Sequence, residues 1–367
     1  MTHTYKLSDV FDLQMGKTPS RDIKEYWQDG EYEWISIADL TKSGKYICET
    51  KEKISQLAVE ESGIRRIPSN TVIMSFKLSI GKVAITKKSI FSNEAIMAFI
   101  DKGVVSILPQ YAYYLFSAQT WDKGVNRAVM GTTLNKATLS QYRISLHDKE
   151  IQLEIVEKLD KISELIAARK EQLCKVDDLV KSQFIEMFGD VVKNDKSWNC
   201  LPMTTVAPVS AYKGNIESTE GKYWLLNLDM VEAQTGDIIS QVMVELNEVG
   251  ASTVAFNQEN VLYSKLRPYL NKVVNPKIAG YATSELVPLK PNKKYLNKVF
   301  FTALLRSDAF VHYIQEQVAG AKMPRVSMGV FRQFDVICPP IDLQNQFAAF
   351  VEQTDKSKVP FELEVAA

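Results

Sequence analysis

Residues 148–189 read DKEIQLEIVEKLDKISELIAARKEQLCKVDDLVKSQFIEMFG, and the rest of the chain divides around them. Positions 155, 159, 162, 166, 169, 173, 176, 180, 183 and 187 advance by alternating steps of four and three. Eight of these ten are apolar: Ile155, Leu159, Ile162, Ile166, Leu173, Val176, Val180 and Met187. A 3.5-residue period is that of a coiled-coil seam, which keeps one stripe of a helix turned to a partner. Asp148 suits an N-cap and Gly189 a C-terminal stop. The pattern predicts one helix of roughly 40 residues, ~60 Å long at 1.5 Å per residue. Such a rod needs a partner helix. Its counterpart near the C-terminus begins with Asp342, Leu343 and Phe347, continues through Phe350 and Val351, and meets Pro360.

The segments on either side of the rod echo each other at an offset of roughly 190 residues, the mark of an internal repeat. Asn70-Thr-Val-Ile-Met-Ser-Phe-Lys-Leu-Ser-Ile-Gly-Lys82 answers Asn260-Val-Leu-Tyr-Ser-Lys-Leu-Arg-Pro-Tyr-Leu-Asn-Lys272. In the same order, Trp34–Leu40 answers Trp224–Met230, Ser92–Ala95 answers Thr283–Leu286, Gly131–Lys136 answers Gly320–Arg325, and Glu150–Glu154 answers Asp342–Gln346. Short β-branched and aromatic runs at Thr71–Phe76, Lys82–Thr86 and Asn260–Ser264 predict strands. Helices are expected at Gln110–Trp121 and Asn297–Val318. Each half reads as an α+β globule of about 150 residues, an ordinary domain size.

Composition narrows the class. Hydrophobic residues make up 46% of the 367, enough for two sizeable cores and too many for a disordered chain. Cys48, Cys174, Cys200 and Cys338 lie far apart with no CxxC, which argues against a zinc site and a disulfide framework. The opening MTHTYKLSDV has no apolar signal region, and no run approaches the ~18 apolar residues of a membrane span. The expectation is a cytoplasmic protein with no membrane partner. The 44 basic and 44 acidic side chains cancel, yet they are segregated. Gly63–Asn93 holds six bases and no acid, and Asn260–Ser307 nine bases against Glu285 alone, whereas Asp148–Asp195 holds twelve acids and eight bases. A polyanion would feel the first two segments locally.

Catalytic and cofactor signatures are absent. MGKTPS at Met15–Ser20 looks like the tail of a phosphate loop, but Phe11 stands where that loop requires glycine. Asp39 with Glu49-Thr-Lys51 superficially resembles nuclease carboxylates around a metal. His3, His147 and His312 show no ligand spacing, and no GxSxG or GxGxxG occurs. On the residues alone, a DNA-acting metal-dependent nuclease and a coiled-coil protein-interaction scaffold stay open beside the binding of a polyanion.

Duplicated globules joined by a seam-bearing helix resemble the specificity subunit of type I restriction–modification systems. The stretches that carry the resemblance are MGKTPSR with WISIADL, SFKLSIGKVAI with SNEAIMAF, GTTLNKATL, LVKSQFIEMFGD, YSKLRPYLNKVV with ATSELVPL, and PPIDLQNQFAAFVEQTDKSK. The match covers nearly the whole chain. The resemblance implies an α+β fold with two similar target-recognition domains, 1–147 and 196–341, related by internal duplication. A coiled-coil spacer (148–195) separates them, and a short C-terminal helix (342–367) follows. Each domain would read one half of a bipartite double-stranded DNA site. The chain itself would be non-catalytic and hold no cofactor. Modification (methyltransferase) subunits would bring S-adenosylmethionine chemistry, and a restriction (endonuclease/translocase) subunit the ATP-driven steps.

By analogy with the matched stretches, DNA contacts are expected from Lys77, Lys82, Arg127, Asn135 and Lys136 in the first domain. In the second they are expected from Arg267, Tyr269, Lys272, Lys322 and Arg325. The asparagine would suit adenine and the arginines guanine. Two departures from the family pattern stand out. Leu146-His147-Asp148 replaces the Pro-Pro that often precedes the first long helix, while Pro339-Pro340 keeps it before the second. VPFELEVAA replaces the remainder of a second long helix. The expectation is that roughly Leu165–Phe188 lacks an intrachain seam partner, and pairs with another copy or docks on a modification subunit.

Overall fold

The computed structural model describes residues 2–358 except Leu78, 122–125, 129–130 and 319–322; the side chains of 126–128, 131–133 and 357–358 also lie outside the description. The chain falls into two compact units, Met1–Ala167 and Ala168–Ala367, with the division inside the long helix.

In the first unit a five-stranded sheet runs in the order Phe11–Met15, Ile96–Asp101, Val72–Ser75, Val83–Thr86, Tyr46–Ile47. Its central strand, Val-Ile-Met-Ser, is buried at every position, so it reads as a continuous apolar run with no alternation. The helix Pro109–Ala118 covers one face, where Phe11, Phe99, Phe116 and Trp121 meet edge to face. A three-stranded sheet pairs Tyr32–Ile35 with Glu52–Ile54 (antiparallel) and Phe91–Ser92 (parallel). Thr2–Lys6 closes the unit against Arg143–His147.

The second unit repeats these pairings. Val261–Ser264 lies between Val273–Val274 and Leu286–Leu289, as Val72–Ser75 lies between Val83–Thr86 and Ile96–Asp101. Tyr223–Leu226 is parallel to Gly280–Thr283 and antiparallel to Val242–Val244. Cys200–Pro202 closes on Asp335–Ile337. The structural register refines the sequence match by one residue. Ser75 N donates to Lys82 O (2.9 Å) and Ser264 N to Lys272 O (3.0 Å), so the hairpin loop is one residue longer in the second unit. The helix expected over Asn297–Val318 is broken in two, Lys298–Arg306 and Asp308–Glu316. Ser307 ends one and caps the other: its Oγ donates to Leu304 O and accepts from Phe310 N.

The long helix is continuous over 40 residues, Lys149–Phe188. Asp148 O accepts the first helical bond from Gln152 N, and Gly189 ends the helix in the left-handed region at φ +76°. Its seam is not uniform. Ile155 packs on the core of the first unit, and Val180 and Met187 pack on that of the second. Leu159, Leu173 and Val176 are half-buried, while Ile162 and Ile166 are exposed. The expectation that Leu165–Phe188 lacks an intrachain partner is therefore corrected. Phe184 and Phe188 are buried in a cluster with Phe300 and Phe347, at centroid separations of 4.6–5.7 Å. Phe347 belongs to the helix Ile341–Lys358, whose Leu343 and Val351 line the same core. From Ile162 onward, large apolar side chains of this helix remain exposed at Ile162, Leu165 and Ile166, which lie close together, and singly at Leu179 and Ile185. Residues 359–367 lie outside the described ones.

Candidate nucleic-acid interface

In each unit the hairpin loop after the central strand is tied by backbone hydrogen bonds to a distant segment just ahead of a short helix. In the first unit Leu134 N donates to Phe76 O (3.0 Å), which brings Lys77 close along the backbone to Asn135 and Lys136. In the second, Val326 N donates to Lys265 O and Arg267 N to Pro324 O (both 2.8 Å), joining Arg267 to Arg325. Residues that the sequence places at DNA separately, about 60 positions apart, thus form one surface per unit.

The individual side chains are held differently. Lys82 and Lys136 are exposed; Lys77 is half-buried with Nζ 5.3 Å from the Phe76 ring. Asn135 caps the helix Lys136–Gln141, its Oδ1 accepting from Thr138 N (2.8 Å) and Thr138 Oγ1 (3.1 Å). Arg127 lies on the short strand Asn126–Ala128, but its side chain is outside the described set, as is all of Lys322. Lys272 is half-buried and donates to Leu228 O (2.6 Å), which anchors the loop. Tyr269 is exposed, and its carbonyl accepts from Gln234 Nε2. Arg325 donates to Glu285 Oε1 (2.9 Å) with most of its side chain in solvent.

The second loop is also strained. Arg267 (φ +50°) and Asn271 (φ +49°) both take left-handed backbone around the turn Pro268–Leu270. Neither is glycine, so each position costs conformational energy. Arg267 Nε, Asn271 Oδ1 and Glu285 Oε2 are buried without a hydrogen-bond partner among the described residues. Buried polar atoms normally find partners, so strain and unmet polar groups coincide on the loop that carries the basic residues and on Glu285, whose carbonyl accepts from Lys265 N. Sequence reading singled out Arg267 for its charge but passed over Asn271. Glu285 entered as the lone acid of the second basic segment and as part of a repeat.

Much of the first basic segment is occupied internally. Glu33, on the strand Tyr32–Ile35, accepts from Thr50 N (2.8 Å), Thr50 Oγ1 (2.7 Å) and Lys88 Nζ (3.2 Å), and pairs with Lys53 at 3.2 Å. Burial alone would raise its carboxyl pKa, but the Thr50 and lysine donors together hold it down at about 2. Arg66 stacks over Tyr32 and Phe91, and Lys87 lies over Tyr46.

The other sequence alternatives meet structural roles. Asp39 is part of a capping box: it accepts from Ser36 N (3.0 Å), Ser36 Oγ (2.6 Å) and Lys51 N (3.1 Å). Among the described residues no group of three His, Cys, Asp or Glu side chains is placed to hold a metal. Gly16 of MGKTPS is a close approach to a neighbouring strand, where an added Cβ would lie 2.2 Å from Asn93 O. His147 Nδ1 shares a hydrogen bond with Tyr111 OH (2.8 Å). No helix among the described residues is long and apolar enough to cross a membrane.

Comparison with known proteins adds to this geometry. Residues 2–176 match the family described as type I restriction modification DNA specificity domain. The type I restriction enzyme MjaIX specificity subunit of Methanocaldococcus jannaschii is 25% identical over 95% of this chain and 85% of its own. The EcoprrI specificity subunit of Escherichia coli is 26% identical over 48% of this chain and 46% of its own. In fold, the chain resembles the S subunit of a type I restriction–modification system from M. genitalium, with TM-score 0.51, 14% identity, and 98% and 90% of the two chains covered. A chain from a type I R-M system studied for complex assembly and conformational transition gives TM-score 0.52 at 12% identity, with 97% and 90% covered. Family match, relatives and fold agree with one another: residues 2–176 match the type I specificity-domain family, and over nearly its whole length the chain is similar to type I restriction enzyme specificity subunits.

Proposed function

We propose that this chain is the DNA sequence-specificity subunit of a type I restriction–modification complex, each unit reading one half of a bipartite duplex target. The observation that carries the reading is the recurrence, in both units, of the same hairpin loop bonded to the same downstream segment, with basic side chains on each. Lysines there would neutralise phosphates, and arginines would reach base edges. The repeated strand pairings support an internal duplication, which suits a target in two parts. The long helix spaces the readers and docks modification subunits, which carry S-adenosylmethionine; a restriction subunit supplies the ATP-driven chemistry. Exposed Ile162, Leu165 and Ile166 form the stripe for such a partner or a second copy, because contiguous apolar side chains are costly to leave wet.

Duplex binding by the chain assembled with modification subunits tests this. Lys82→Glu is expected to weaken recognition at one half-site and Arg325→Gln at the other, each flattening the logarithmic salt slope by about one for every phosphate left unneutralised. Binding that ignores sequence, or variants that act equally on both halves, would overturn it.

A further inference from the structure

Gln152 and Gln344 are each almost completely buried, in the opening turns of the two helices that leave the globular units. Gln152 Nε2 donates to His147 O (2.7 Å) and Ser106 O (2.9 Å), and its Oε1 accepts from Leu108 N (2.9 Å). Gln344 Nε2 donates to Pro339 O (2.8 Å) and Tyr295 O (2.9 Å), and its Oε1 accepts from Asn297 N (2.8 Å). The two sets are the same device. Each amide reaches back five residues to the end of the preceding segment. Each also brackets a two-residue step, 106/108 or 295/297, immediately before a helix of the same unit, Pro109–Ala118 or Lys298–Arg306. Only a primary amide offers two donors and one acceptor in that planar arrangement.

A second attachment follows on the long helix. Asp160 lies eight residues on, two turns and about 80° around the helix at 3.6 residues per turn, so it meets the first unit from an adjoining face. It pairs with Lys45 at 2.5 Å and accepts from Tyr114 OH, both from the first unit. One attachment makes a pivot; two fix a direction.

We propose that Gln152, seconded by Asp160, is a positioning residue that sets the angle at which the long helix leaves the first unit. It thereby sets the number of base pairs between the two half-sites. This rests on the bipartite reading above. The leverage is geometric: over the ~60 Å of a 40-residue helix, a tilt of about 3° moves the far end by ~3 Å, one base-pair rise. Losing the amide leaves Ser106 and His147 carbonyls and the Leu108 N–H unmet in a buried site, which favours small reorientations of the joint.

The test uses the chain assembled with modification subunits and a duplex series in which the two half-sites, first defined by selection with the wild-type complex, are separated by the selected spacing or by one or two base pairs more or fewer. Gln152→Met keeps the side chain's length and removes all three bonds. Its preference for the selected spacing over its neighbours is expected to fall roughly tenfold, the scale of a misplaced base contact. Binding to duplexes carrying a single half-site should stay unchanged. Tyr114→Phe, a mild change at the second attachment, is expected to relax spacing in the same direction to a smaller extent, and reads the proposal if Gln152→Met does not fold. An unaltered spacing preference in folded variants would overturn the inference. A wild-type complex with no preference for a two-part site would instead overturn the functional reading beneath it.

Discussion

Truncating Phe188 to alanine separates two views of the long helix, a free rod and one built into the second unit. The Phe188 ring is fully buried and contacts Phe300 at 4.6 Å, Phe184 at 5.1 Å and Phe347 at 5.6 Å. Removing a buried phenylalanine from a close-packed core costs about 3–5 kcal/mol, from forfeited transfer energy and the cavity left behind. Ile166 sits in the same predicted seam region but is half-exposed, so Ile166→Ala should change stability by no more than about 0.5 kcal/mol. Urea unfolding read by hydrogen exchange in both units follows the two variants without assuming a single transition for a two-unit chain. Phe347→Ala should not add to Phe188→Ala, because the two rings touch; a coupling of about 0.5–3 kcal/mol is expected. Equal, small effects of Phe188→Ala and Ile166→Ala would refute the reasoning, since they would mean the end of the helix is not part of the core.

Two further outcomes follow from buried groups. Glu33 has its folded-state pKa depressed to about 2 from 4.5, so its contribution is fully present above pH 4.5 and is lost as pH falls toward 2. At 1.36 kcal/mol per pKa unit this is about 3 kcal/mol, and Glu33→Gln should flatten the acid limb of a stability–pH curve by that amount. Arg267→Gly should act in opposite directions on two measurements. It relieves left-handed backbone and removes an unmet buried Nε, raising thermal stability by up to about 1 kcal/mol, while weakening binding at the second half-site. Loss of stability together with unchanged duplex binding would show that Arg267 is merely structural.

The long helix was legible because periodicity and both ends agreed: Asp148 O accepts its first helical bond, and Gly189 ends it in the left-handed region. The central strands were legible as short apolar runs, each opening just after an asparagine, Asn70 or Asn260. The side of the helix that meets each unit was not. A heptad pattern places Val180 and Met187 on the seam, yet the deepest residues are Phe184 and Phe188, because docking onto a globule and not onto a single helix decides that end. The break at Ser307 was hidden because an apolar pattern continues across it, and a serine that both stops and caps leaves no gap in the periodicity. At the interface, charge identified the loops. The bonds joining Phe76 to Leu134 and Lys265 to Val326 are long-range and have no local signature. Glu33, which occupies Lys53 and Lys88, lies outside the basic segment it neutralises. Gln152 and Gln344 were visible only as matching letters in a repeat; their roles needed coordinates.

The most direct test of the account is to map the bases methylated by this chain assembled with modification subunits. Two short specified segments separated by a fixed run of unspecified base pairs are predicted, with a swap of residues 196–341 from a relative altering one segment alone. A single uninterrupted motif, or methylation without sequence preference, would contradict it.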